Sequence, residues 1–178
     1  MSIIRSEAGG FDNLRKRSAL LSVAVLAALT LGVSVAPASA ATAGSTMGVS
    51  ATVQATCLNT VTNLGFGTYT GVVAAATATI TVTCTNTTPY NIGLDAGLGT
   101  GASVTARAMT GTNAATLNYT LTSDAGNSVN WGNTPGTDTV AGTGNGSAQP
   151  ITIYGNLAAG QFVAPGAYAD TITATVTY

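Results

Sequence analysis

The feature that most constrains this chain is a strict alternation between apolar residues and threonine in two separate segments. In residues 76–85, every even position is Ala, Ile, Val or Cys and every odd position is Thr. Residues 170–178 repeat the scheme after an initial Asp, with Ile, Ala, Val and Tyr at the later even positions. Successive side chains of a strand point to opposite faces, so each segment is predicted to be a strand with one buried face and one hydroxyl-lined face.

The rest of the chain favours the same fold class. Threonine accounts for 31 of residues 41–178, and threonine is favoured in strands, whereas Gly and Asn favour turns. Leu64 and Phe66 are the expected buried residues of a turn and short strand over residues 60–70. Further strands are predicted at 88–94, 115–122 and 149–154, and turns at 95–101, 132–136 and 142–146. Short strands joined in this way predict an all-β protein, folded as a β-sandwich.

Charged residues are scarce, which argues against several classes of function. The sequence contains 5 Lys or Arg, 6 Asp or Glu and no His, and histidine is the commonest general base and metal ligand at neutral pH. Two Cys cannot by themselves form a four-cysteine zinc site. Beyond residue 17 there is no basic stripe to neutralise phosphates. We therefore expect no catalytic residues, no cofactor, no metal and no nucleic-acid partner.

The first 40 residues have the organisation of a secretory signal peptide. Basic residues at 15–17 precede an apolar run at 19–36, and an A-x-A signal follows at 38–40. The alternative is a transmembrane anchor, because a run of this length approaches the span of a bilayer. However, the run is rich in Ala and is interrupted by Ser, Thr and Gly. We predict cleavage after Ala40 and no stable membrane anchor.

Residues 41–178 carry only five charges. Arg107 is the one cation, and the four carboxylates leave a net charge of −3. The carboxylates are isolated from one another in sequence, so they are expected to be solvated turn residues rather than an acid–base pair or a calcium site. They are Asp95, Asp124, Asp138 and Asp170.

Cys57 and Cys84 are the only cysteines, and they follow an export signal. An oxidising compartment favours a disulfide between them, which would stabilise the fold by about 3 to 4 kcal/mol in the chain-entropy model. A redox or nucleophilic role is disfavoured, since no neighbouring cation or His would lower the pKa of either thiol.

A third alternating segment begins shortly after the predicted cleavage site. Its apolar face comprises Met47, Val49, Ala51, Val53, Ala55 and Cys57. The segment is predicted to be a strand. Two aromatic residues, Trp131 and Tyr154, could stack on sugars; the alternative is that they are core or rim residues with a hydrogen-bonded polar tip.

Five short runs, taken together, resemble the spore coat protein U domain family, which includes the Csu-type pilins of archaic chaperone–usher pili. The runs are VTCTN (82–86), LNYTL (117–121), WGN (131–133), IYG (153–155) and PGAYADTI (165–172). The likeness covers residues 47–178 and follows the order of the family.

The resemblance implies an incomplete immunoglobulin-like β-sandwich that is completed by a donor strand from another subunit. A periplasmic pilus chaperone would first fill the groove, and at the outer-membrane usher the N-terminal strand of a neighbouring pilin subunit would replace it. The implied donor side chains are Met47, Val49, Ala51 and Val53. The strand bordering the acceptor groove would present Ile172, Ala174, Val176 and Tyr178 to the core.

These expectations divide the chain into a signal peptide at 1–40, a donor-strand extension at 41–56 and a pilin domain at 57–178. The expected function is a structural subunit, secreted through the periplasm to a cell-surface pilus that serves attachment or biofilm formation. A spore-coat or surface-layer protein and a carbohydrate-binding adhesin are the alternatives. For the extension itself, the alternative is an ordinary first strand that pairs within its own domain.

Overall fold

The computed structural model describes residues 38–178, so most of the predicted signal peptide lies outside the described residues. The chain divides into two units, Met1–Gly48 and Val49–Tyr178. In the first unit, the described residues 38–48 carry no helix or strand, and all of them are exposed. No helix in the described part of the chain is long and apolar enough to cross a membrane.

The second unit is a sandwich of two antiparallel sheets, which confirms the predicted all-β class. A five-stranded sheet has the order β1-β2-β7-β5-β4, and a three-stranded sheet has the order β6-β3-β8. A single short 3-10 turn, Thr112–Ala114, interrupts the strands within the described residues. The strands are β1 (Cys57–Val61), β2 (Ala74–Cys84), β3 (Pro89–Leu94), β4 (Arg107–Thr110), β5 (Thr116–Thr122), β6 (Val140–Thr143), β7 (Gln149–Leu157) and β8 (Ala174–Thr177).

Strand β2 shows how the threonine alternation builds the core. Ile80, Val82 and Cys84 are buried, whereas the intervening threonines are half-buried or exposed. The buried face of β2 belongs to one apolar cluster with Ile92 and Leu94 of β3, in the opposite sheet. The predicted inward and outward faces of this segment are therefore confirmed.

Trp131 is fully buried in the same cluster. Its indole Nε1–H donates a hydrogen bond to the carbonyl oxygen of Ile92 at 2.8 Å. A buried indole cannot present its face to a sugar, so the interpretation of Trp131 as a stacking platform is wrong. Tyr154 lies half-buried on β7.

The predicted strands at 88–94, 115–122 and 149–154 are present as β3, β5 and β7, although β7 continues to Leu157. Strands β4 and β6 were not predicted. Residues of β6 fall in the predicted turn at 142–146, because Gly142 sits in a strand where its missing side chain makes room for the Tyr90 ring. The predicted strand at 170–178 pairs only over Ala174–Thr177.

The alternating segment at 47–57 does not form a strand within the described chain. Strand β1 begins at Cys57, and residues 38–56 are all exposed and have no assigned secondary structure. A strand requires a neighbour that supplies a ladder of hydrogen bonds. No described strand supplies one to this segment, so the structure does not support the alternative of an ordinary first strand.

The predicted disulfide between Cys57 and Cys84 is confirmed. It joins the first residue of β1 to the last residue of β2, which are directly paired in the sheet. The bond therefore holds the start of the edge strand β1 against the longest strand of the described chain.

Arg107 is fully buried and donates four hydrogen bonds to backbone carbonyl oxygens. The acceptors are Asp95 at 2.8 Å, Val104 at 2.7 Å, Leu94 at 3.0 Å and Trp131 at 2.7 Å. Burial lowers the pKa of the guanidinium, and the nearby Tyr119 and acidic groups oppose that shift. This single cation links the end of β3 to the start of β4 and to the Trp131 segment.

The four Asp residues also bind backbone, so the expectation of freely solvated turn carboxylates is only partly right. Each carboxylate accepts at least one backbone N–H within its turn or from a neighbouring segment. For Asp124, hydrogen bonds from the Val129 N–H and from Ser128 lower the pKa. No group of metal-ligating side chains occurs among residues 38–178.

Replacing Arg107 with Met should lower the free energy of unfolding by about 3 to 5 kcal/mol, because four buried carbonyl oxygens lose their donor. Arg107→Lys should cost less, since an ammonium group can still reach some of these oxygens. Urea denaturation followed by tryptophan fluorescence measures both. A Met variant as stable as the wild-type protein would contradict the assigned role of the guanidinium.

Candidate functional site

Strand β8 has an unpaired edge. It ends the three-stranded sheet and pairs only with β3 among the described strands. The Asp95 N–H donates to the Thr173 carbonyl oxygen at 3.1 Å, so odd-numbered residues here direct their backbone groups towards β3. Hydrogen bonding alternates along an antiparallel pair. The N–H and C=O groups of Ile172, Ala174 and Val176 therefore point to the open side.

A cavity of about 640 Å³ lies between the two sheets beside this edge, and we call it the edge groove. Sandwich interiors are normally filled by interdigitating side chains. The groove is instead an open space, and most of the residues that line it are apolar. The lining includes Leu64, Phe66, Leu121, Ile153, Ile172 and Ala174.

The four side chains expected on the groove-bordering strand are not equivalent. Ile172 and Ala174 are half-buried and line the edge groove. Val176 is half-buried against the core. Tyr178 is 58% exposed and follows the last residue of β8, so it does not face the core. Leu64 and Phe66, which were expected to be buried, are half-buried at the groove.

The side chains expected to act as donors are exposed. Met47 is 85% exposed, Val49 83% and Val53 84%, and Ala51 is exposed as well. Isolated apolar residues are common on protein surfaces. Here, however, they recur at every second position of a segment without a strand partner, which is the pattern of a strand face that has nothing to pack against.

One hydrogen bond joins β5 to the segment that leads into β8, beside the groove. The Tyr119 hydroxyl, on β5, donates to Asp170 Oδ2 at 2.7 Å. The other carboxylate oxygen, Oδ1, accepts the N–H groups of Leu98 at 2.8 Å and Thr171 at 2.7 Å. Burial raises the pKa of Tyr119, and the hydrogen bond and negative charge of Asp170 raise it further. The residues that lead into β8 are thus held in place without filling the groove.

Two further polar contacts position the same edge. Asp95 Oδ1 accepts the Thr173 N–H at 3.0 Å, and the Asn59 Nδ2–H donates to the Ala174 carbonyl oxygen at 3.3 Å. The second contact joins β1 to the first residue of β8 and occupies the outward carbonyl oxygen of Ala174. These two contacts hold the start of β8 in place.

Sequence reasoning did not identify Tyr119 and Asp170 as partners. They are 51 residues apart, and neither belongs to a local motif that requires the other. The one available signal was the charged residue immediately before the alternating segment at 171–178. A carboxylate at the start of a half-buried strand needs donors nearby, but the pattern does not say which side chain supplies them.

Replacing Tyr119 with Phe should make stability less sensitive to alkaline pH. The folded protein favours the neutral phenol of Tyr119. The stability that this preference contributes is fully present below the unfolded tyrosine pKa of about 10 and is lost as the pH rises above it. We expect the Phe variant to be less stable at pH 7, because it loses the bond to Asp170, and to lose less stability above pH 10. Denaturant midpoints measured from pH 7 to high pH test this, with Tyr154→Phe as the control that keeps the wild-type decline. An equally steep decline in both variants would contradict it.

The fold of the chain is similar to that of a solved structure, the CsuC–CsuE chaperone–tip adhesion subunit pre-assembly complex from archaic chaperone–usher Csu pili of Acinetobacter baumannii. The TM-score is 0.51 with 21% sequence identity, and the match covers 71% of this chain and 40% of that one. The similarity supports the incomplete immunoglobulin-like sandwich as the fold.

Sequence comparison identifies the family. Protein U of Myxococcus xanthus is 39% identical in an alignment of 89 residues, and the match covers 48% of this chain and 48% of that protein. The chain thus spans about half the length of this relative. The model of the Spore Coat Protein U domain matches residues 43–175. Because this match covers most of the sequence, the chain belongs to the Spore Coat Protein U domain family.

Proposed function

We propose that the protein is a secreted structural subunit of an archaic, Csu-type chaperone–usher pilus and that it polymerises head to tail by donor-strand exchange. The N-terminal extension of one subunit would pair with the β8 edge of its neighbour and fill the edge groove. The resulting fibre would serve surface attachment or biofilm formation. Spore coat protein U domains are structural subunits and not enzymes, which agrees with this role.

The main observation behind the proposal is that one chain has both an open strand edge and a separate segment that lacks a strand partner. Strand β8 has an unpaired edge above an apolar groove, and residues 47–53 have an apolar face without a partner. An open strand edge is a template for strand addition by another chain, and soluble proteins normally block such edges. Here the segment at 47–53 of one copy can pair with the β8 edge of another and place its apolar side chains in the groove.

The donor strand would contribute a strong gross interaction. Burying Met47, Val49 and Val53 would each contribute roughly 1.5 to 3 kcal/mol, before the cost of ordering the segment. The backbone groups at the open side of β8 would add a ladder of hydrogen bonds worth about 0.5 to 1.5 kcal/mol each. Ala51 is small and contributes less, so the two valines and Met47 are the main anchors.

The proposed division of the chain follows from this role. Residues 1–40 direct export to the periplasm, residues 41–56 form the donor extension, and residues 57–178 form the pilin domain. Before assembly the edge groove would expose apolar surface and unpaired backbone, which promotes aggregation. A periplasmic chaperone that covers the groove, followed by an outer-membrane usher that exchanges it for the next subunit, would remove this hazard.

A spore-coat or surface-layer protein is the second candidate, because the matching family is described by spore coat protein U. The same strand exchange would build that layer. Immunogold labelling separates the two, since a pilin would decorate thin fibres that extend from the cell and a coat protein would outline the envelope. The carbohydrate-binding alternative has lost its main support, because Trp131 is buried.

Deleting residues 45–56 should abolish multimers that resist SDS without heating, because the donor strand is removed while the disulfide and the core of the pilin domain remain. Surface extracts from cells that express the full chain, run unheated and after boiling, measure this. Multimers that persist after the deletion would refute donor-strand exchange.

A matched pair of variants tests the face of the donor. Val49→Asn with Val53→Asn changes the apolar face and should weaken the multimers strongly. Ser50→Asn with Gln54→Asn changes the opposite face of the same segment and should leave them intact. Equal effects of the two pairs would contradict the proposed alternation.

A further inference from the structure

The sandwich has two distinct poles. Strand β2 runs over eleven residues from an open pole, where it begins at Ala74, to a disulfide pole, where it ends at Cys84. At roughly 3.3 Å per residue the poles are about 35 Å apart. The disulfide pole also carries the turns at 85–88 and 143–147, which are joined by hydrogen bonds between Thr87 and Gly144 and between Gly144 and Thr88.

The open pole presents an exposed apolar patch. Val72 is 63% exposed, Val73 59% and Phe162 90%. We call these three residues the pole patch. Its two loops are joined by a hydrogen bond from the Gly160 N–H to the Gly71 carbonyl oxygen at 2.9 Å.

The pole patch is held in place by its own loops. A Cβ atom at Gly71 would lie 2.9 Å from the Phe162 ring, so the glycine allows the ring to lie against the first loop. The Tyr69 hydroxyl donates to the Ala158 carbonyl oxygen at 2.6 Å and accepts the Gln161 N–H at 3.2 Å. The apolar side chains are therefore displayed on a braced surface.

The direction of the donor strand determines what meets this patch. This step rests on the proposed donor-strand exchange. All strand pairs in the sandwich are antiparallel, and β8 runs from the open pole towards the disulfide pole. A donor antiparallel to β8 runs the other way. It leaves the groove at the open pole of the subunit that accepts it.

The connection between the donor and its own domain is short. Only Gln54, Ala55 and Thr56 separate Val53 from β1, and the three Cα–Cα steps from Val53 to Thr56 span about 10 Å at most. Thr56 is also fastened to its own domain, since its carbonyl oxygen accepts the Thr85 N–H at 2.9 Å. The disulfide pole of the incoming subunit must therefore lie next to the open pole of the acceptor.

We propose that the pole patch is a contact surface between the domains of successive copies of this chain, and that its occupant is the disulfide pole of the next copy. The surface of that pole is suited to contact with apolar side chains. Leu58 is 71% exposed beside the disulfide, and the turns at 85–88 and 143–147 contain no charged residue. The fibre then has a second contact at every joint, which limits how far neighbouring domains pivot about the donor strand.

A cysteine pair tests the contact directly. Cys57 and Cys84 are bonded to each other and the chain has no other cysteine, so Val73→Cys with Asn86→Cys introduces the only free thiols. The two positions lie at opposite poles of one domain, and a short bis-maleimide can therefore join them only between copies. We expect a covalent ladder that survives boiling in SDS. The control pair Val129→Cys with Asn86→Cys, which uses an exposed valine beyond β5, should give no ladder.

The outcomes separate this inference from the proposed function. Unheated SDS-resistant multimers without a cross-linked ladder would overturn the contact and leave strand exchange intact, whereas absence of multimers in the wild-type protein would refute strand exchange itself. In a second test, the triple variant Val72→Ser, Val73→Ser, Phe162→Ser should keep its multimers but form fibres with a shorter persistence length by electron microscopy. Unchanged fibres, or loss only of adhesion to an apolar surface, would overturn the contact.

Discussion

The open edge of β8 is the constraint on which the rest of the molecule depends. An edge residue whose N–H and C=O groups point away from its only neighbour must find partners in water or in another chain. Ile172 and Val176 are in this position, whereas the outward carbonyl oxygen of Ala174 accepts a hydrogen bond from the Asn59 side chain. The surrounding structure keeps the edge extended and the groove open. The bond from Tyr119 to Asp170 holds the segment that leads into β8, and the contact from β1 holds the first residue of β8.

The few charged residues of residues 41–178 have a structural role. Arg107, the only cation outside the N-terminal segment, forms no surface ion pair but satisfies four buried carbonyl oxygens near the groove. The carboxylates likewise bind backbone N–H groups of turns and of the segment leading into β8. Ionised groups form the stronger hydrogen bonds. Among the described residues, the few charged side chains therefore serve mainly to hold backbone segments in place.

The sequence predicted the parts of the fold that depend on local periodicity. Strand β2 and the faces of the segment at 171–177 could be read from alternation, because a period of two allows only one arrangement of side chains. Strands β4 and β6 have four residues each, and Gly142 interrupts the expected pattern of β6. The edge groove could be inferred only through family resemblance. Its hydrogen bonds join residues far apart in the chain, which no local pattern encodes.

Under the proposed strand exchange, the position of the extension requires that the donor and the groove belong to different subunits. In its own groove, a donor antiparallel to β8 would end at the open pole, whereas Thr56 is fastened at the disulfide pole. Three residues spanning about 10 Å cannot bridge the roughly 35 Å between the poles. The same short connection that would bring two domains together therefore prevents a subunit from filling its own groove with a donor antiparallel to β8. Because the donor and the groove are different surfaces, each added copy would present a new free groove or extension, and the proposed assembly would grow as an open fibre.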